Sequence, residues 1–173
     1  FKGTEKRPTS RQLSEAIESA TLSRAADFLH NPGISVVRDA RVAADAGKVH
    51  AMHDPTEGGI ATGIRELTGA AGLGARIDRQ ALNFYPETLA ICDQLDLDPL
   101  GIIASGALLI AVAPEDADSV TQSLQDAGIS AKTIGQVCEA PEVTLIDEHG
   151  EHPLPSFERD EIARLFERPS LED

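Results

Sequence analysis

The chain has 173 residues and a net charge of −14, from 29 Asp+Glu against 15 Lys+Arg. Such a surface repels nucleic-acid backbones and anionic membrane surfaces, which argues against both partners, and no apolar run approaches the roughly 18 residues that a membrane span needs. The length suits one domain of about 150 residues with short flanks, and with aromatics at 3% and no Trp the core has to be built from Leu, Ile, Val and Ala.

Residues 1–9 read as a polar arm. The start at Phe1, with neither Met nor an apolar signal region, reads as a domain cut from a longer cytoplasmic chain. Ser10 can cap a helix over 10–29, in which Leu13, Ile17, Ala20, Ala25 and Phe28 recur at helical spacing. The run His30-Asn31-Pro32-Gly33 breaks it, and a second helix over 34–46 stops at Gly47. A short strand over 49–52 leads into the turn 54–59 and a helix to about 68, ended by Gly69, Gly72 and Gly74. Residues 75–77 suit a strand, and Pro86 opens a helix to 95. Residues 97–104 read as irregular, and 107–112 as the best buried strand. A helix over 114–127, strands over 129–137 and 143–146, a tight turn at His149-Gly150 and a helix over 157–166 complete the order, with 169–173 as a tail. Alternation of this kind predicts an α+β (α/β-like) fold in which helices cover a mixed sheet.

The strongest chemical signal is His53-Asp54-Pro55-Thr56-Glu57-Gly58-Gly59, between a strand and a helix. Consecutive glycines at a helix start leave N–H groups clear for an anion such as a phosphate. Asp54 could hold a magnesium ion that bridges phosphates, and Thr56 could cap the helix or donate to a phosphate oxygen. The same residues also suit a capped helix start, with glycine there for close strand–helix packing. Ser105-Gly106, before the strand at 107–112, lets a ligand or another backbone approach closely. His30, His50, His53, His149 and His152 lack the spacing of a zinc site. Cys92 and Cys138, far apart in sequence, read as two unpaired thiols.

The phrase His53-Asp54-Pro55-Thr56-Glu57-Gly58-Gly59-Ile60-Ala61-Thr62 resembles a motif of the aminoimidazole-ribonucleotide-synthase superfamily, nearest its hydrogenase-maturation branch. Leu97-Asp98-Pro99-Leu100, the run from Ala104 to Val112, Gly135-Gln136-Val137 and the run from Pro32 to Val37 extend the resemblance over residues 10–168. It implies the C-terminal domain of a two-domain enzyme that uses ATP and Mg2+ to phosphorylate and so activate a substrate oxygen. The N-terminal ATP-binding domain, absent from this chain, would be its partner and would pair with a second subunit, giving a homodimer at full length. By motif match Asp54, Thr56, Gly58 and Gly59 face the phosphates or substrate, and Ser105 and Gly106 line the same cleft. Two departures stand out: Glu57 replaces an arginine of that branch, and the chain ends Arg168-Pro169-Ser170-Leu171-Glu172-Asp173 without the branch's terminal cysteine. A non-catalytic regulatory or binding module on the same fold is the alternative, and the isolated domain is expected to be inactive.

Overall fold

The computed structural model describes residues 15–166. The arm 1–9, the Ser10 cap and the tail 169–173 lie outside the described residues. Among the described residues these α-helices run in chain order: α1 Ser19–Asp27, α2 Val37–Ala46, α3 Gly59–Gly69, α4 Pro86–Leu95 and α5 Ala117–Asp126. The strands are β1 Val49–His53, β2 Gly74–Asp78, β3 Leu109–Val112, β4 Gly135–Cys138, β5 Val143–Asp147 and β6 Gly150–Pro153.

The strands form two sheets rather than one. β1 and β3 make an antiparallel pair, and the other four follow the order β4-β2-β5-β6. In the larger sheet the central β2–β5 pairing is parallel, and both flanking pairings are antiparallel. The strand period of two explains which side is buried. Ala75, Ile77, Val143 and Leu145 turn inward and are buried. Arg76, Thr144 and Glu151 face out and bond one another: Arg76 holds Glu151 through Nε at 3.0 Å and through its terminal nitrogen at 2.7 Å, and Thr144 Oγ1 donates to the same carboxylate at 2.8 Å.

Helix α3 lies between the two sheets. Its Ala61 and Ile64 join Ala75, Ile77, Leu100, Leu109, Val143, Leu145 and Leu154 in the main core. Small residues let it sit close: a Cβ on Gly63 would stand 2.5 Å from Pro55 Cβ and 3.3 Å from Leu109 Cδ1. Helices α2 and α5 cover the opposite face of the β1–β3 pair, where Ala43, Val120 and Leu124 are buried against Met52, Ile110 and Val112. Gly47 ends α2 in extended backbone, not in a left-handed cap, and a side chain there would collide with Val120 Cγ2 and Asp116 Cβ, 2.8 and 2.9 Å from where a Cβ would lie.

Several elements are shorter than their patterns predict. The helix expected over 34–46 begins at Val37. The strand expected over 129–137 pairs only from Gly135, because Ile129 and Ala131 pack onto the second core beside α5 instead of entering the sheet. Of the helix expected over 157–166 only Glu161–Phe166 winds, as a 3-10 turn. Strand β3 buries Leu109 alone and leaves the rest half-buried, since it has one paired neighbour.

Candidate active-site surface

The turn between β1 and α3 is built from alternating buried and exposed residues. Pro55, Gly58 and Gly59 are buried, whereas Asp54, Thr56 and Glu57 are exposed. Both glycines take positive φ, +75° and +67°, a region that side-chain-bearing residues avoid. Gly59 adds a close approach: a Cβ there would stand 2.5 Å from the carbonyl oxygens of both Leu100 and Ile102.

The resemblance implies that this turn and the Ser105-Gly106 segment line one cleft, and the structure makes them neighbours. The Ala104 N–H donates to the Thr56 carbonyl at 3.2 Å, the Gly59 N–H donates to the same oxygen at 3.2 Å, and the Ala61 N–H donates to Leu100 O at 3.1 Å. Ser105 and Gly106 are exposed. Gly106, at φ +97°, borders a third loop: its Cβ would lie 3.2 Å from Gly33 O and 3.3 Å from Ile34 Cα. The apolar side chains on this rim, Ile34 and Ile103, are 51% and 48% exposed, so the surface is polar at its centre and greasy at its edge.

The N–H groups of both glycines at the helix start already have partners within the chain. The Gly58 N–H donates to Asp160 Oδ2 at 2.9 Å in a buried contact, and the Gly59 N–H is taken by Thr56. The negative group that complements the α3 dipole is therefore the chain's own carboxylate. No pattern in the sequence marks Asp160, which lies 102 residues from Gly58. A second pairing that the sequence leaves unmarked is His53 Nε2 with Glu66 Oε2 at 2.8 Å, one residue before Asp54.

What remains on the surface is a carboxylate, two hydroxyls and a second carboxylate: Asp54, Thr56, Ser105 and Glu57. Magnesium is commonly held by one or two carboxylates together with substrate phosphates and water. The exposed Asp54 fits one such ligand. Among the described residues no group of three His, Cys, Asp or Glu is placed to hold a metal ion unaided. The remaining ligands would have to come from a nucleotide or from another domain. No helix among the described residues is long and apolar enough to cross a membrane.

A helix that starts on a double glycine, wedged between two sheets and stitched to the loop before β3, places the chain in a definite class. Residues 14–148 match the family model described as AIR synthase related protein, C-terminal domain, and the chain belongs to that family. Within it the chain stands with the hydrogenase-maturation branch. It is 41% identical over 98 residues to the carbamoyl dehydratase HypE of Rhizobium leguminosarum bv. viciae, covering 56% of this chain and 28% of that protein. It is 32% identical over 109 residues to a putative hydrogenase expression/formation protein of Methanocaldococcus jannaschii, covering 62% of this chain and 32% of that protein. The crystal structure of E. coli HypE superposes with a TM-score of 0.67 at 29% identity, over 75% of this chain and 42% of that one. A HypE structure in complex with ATP gives 0.63 at 26% identity, over 70% and 40%. The matched part of the chain thus spans between a quarter and a third of the length of these curated relatives.

Proposed function

We propose that this chain is the C-terminal domain of an ATP-dependent enzyme that activates a substrate oxygen by phosphorylation, and that its share of the site is the surface of Asp54, Thr56 and Ser105. The observation that carries the reading is the Ala104–Thr56 hydrogen bond at 3.2 Å, which makes the two motif segments neighbours and so supports a common site. The similarity to a HypE solved with ATP supports the nucleotide. Gly58 and Gly59, whose N–H groups have partners within the chain, shape this face, and Gly106 borders it. Asp54 supplies a carboxylate for magnesium, whose charge when bound would offset that of the phosphates. Thr56 and Ser105 donate hydroxyl hydrogens to substrate or phosphate oxygens. An N-terminal ATP-binding domain would cover the face, with Ile34 and Ile103 as its apolar rim, and the full-length protein would pair as a homodimer. Glu57 repels a phosphate at the position where the branch carries arginine.

Calorimetric titration of magnesium-ATP into the full-length gene product tests the reading. Binding is expected there, and Asp54→Asn is expected to cut turnover at least tenfold, the effect of about 1.4 kcal/mol lost in the transition state. Absence of binding to the full-length protein overturns the enzyme reading in favour of a regulatory module on the same fold, which Glu57 and the capped helix start would suit.

A further inference from the structure

Residues 154–164 form a strap behind the candidate site. Arg65, on α3, holds the Leu154 carbonyl at the start of the strap. Gly101 has no room for a Cβ because the Phe157 ring lies against it. The Glu161 N–H donates to Gly101 O at 3.0 Å, Glu161 Oε2 accepts the Asp98 N–H at 3.0 Å, and Arg164 donates to Asp96 O at 3.1 Å. Most of these contacts fasten the strap to the loop before β3. One reaches the site turn directly: Asp160, 8% exposed, accepts the Gly58 N–H through Oδ2 and the Ile162 N–H through Oδ1, each at 2.9 Å.

We infer that Asp160 is a positioning residue of the site, holding the turn that presents Asp54 and Thr56; the inference rests on the ATP reading above. Gly58 sits at positive φ with its N–H directed inward, so the turn keeps its shape only while a buried acceptor meets that N–H. Asp160 is that acceptor. Its second oxygen is fixed by Ile162, which leaves the carboxylate one orientation. Bonds from Gly59 and Ala104 then converge on Thr56 O, so an error at Gly58 passes to Thr56 and to the Ser105 loop together. A buried N–H without its partner costs about 1–3 kcal/mol, enough to let the turn rearrange while the sheets stay folded.

The test compares Asp160→Ala, Asp160→Asn and Arg164→Gln in the full-length gene product. Thermal unfolding reports the fold, and calorimetry with magnesium-ATP reports the site. Arg164 anchors the far end of the strap without touching the turn, so its variant reads the effect of a looser strap alone. Asp160→Ala is expected to weaken magnesium-ATP binding at least fivefold. Asp160→Asn, which keeps an acceptor oxygen, restores it to within twofold, and Arg164→Gln leaves it unchanged although its melting temperature falls. If Asp160→Ala does not fold, Asp160→Ser replaces it. Wild-type affinity in Asp160→Ala, or an equal loss in Arg164→Gln, overturns the positioning role and leaves the ATP reading standing. A wild-type protein that binds no magnesium-ATP overturns both.

Discussion

Gly59 and Leu100 lie in such close contact that a Cβ on the glycine would stand 2.5 Å from the leucine carbonyl oxygen. That approach, not a vacancy kept for a ligand, is the physical reason for glycine at this position. The loop before β3 fills the space that a side chain would occupy.

Gly59→Ala is therefore expected to destabilise the domain by about 2–4 kcal/mol, through collision with backbone that cannot withdraw and through an unfavourable φ. Gly69 closes the same helix with nothing within 4 Å of its Cβ position and no positive φ. Gly69→Ala is expected to be neutral or stabilising by up to about 1 kcal/mol. Urea unfolding of the two variants checks the contrast, and equal losses would refute the contact argument.

The two cysteines are expected to differ in reactivity. Cys92 is 3% exposed, and burial first, with the nearby Asp98 and Glu161 charges, pushes its thiol up to about 11. Cys138 lies on the edge strand β4, half-buried. The thiolate is the reacting form. A thiol reagent at pH 8 is expected to modify one cysteine quickly and the second only on unfolding, with peptide mapping assigning the fast site to Cys138.

His152 and Asp147 form a pair at 2.9 Å at the open edge of the larger sheet. The hydrogen bond to Asp147 raises the His152 pKa above 6.5, and the bonds from His152 and the His149 N–H lower that of Asp147 below 3.8. The signs fix the window. The histidine's contribution is complete below its unfolded pKa and is lost as pH rises through the raised one. The aspartate's is complete above its unfolded pKa and is lost as pH falls through the lowered one. The pair therefore supports the β5–β6 hairpin in mildly acidic solution and fades above neutrality. NMR titration of the His152 ring is expected to show its pKa falling in Asp147→Asn. An unchanged pKa would mean that the pair does not form in solution.

Much of the fold is legible where local signals agree. Pro86 at a first turn, Gly47 after an apolar period and the inward alternation of Ala75 and Ile77 each fix an element. Strand β6 escapes notice because Glu151, His152 and Pro153 carry no apolar pattern; the strand exists through its register with β5, as an edge where proline is tolerated. Residues 129–131 mislead in the opposite sense. Their apolar side chains are real, but they serve the layer beneath α5 and not a ladder. At the site, Asp54, Thr56 and Ser105 stand out through motif and resemblance, and the Thr56–Ala104 bond makes the two segments neighbours. The cap on Gly58 was beyond reach, because a lone aspartate 102 residues away looks like any surface acid.

That separation has a consequence for how the domain is made. Synthesis delivers the β1–α3 turn early and Asp160 late, whereas every strand of the larger sheet precedes residue 154. A nascent chain on the ribosome can close its sheets and bury α3 while the turn at Gly58 still lacks its acceptor. A message truncated just after Phe157 would keep Leu154 in the main core, yet it would present Asp54 on a turn without its acceptor.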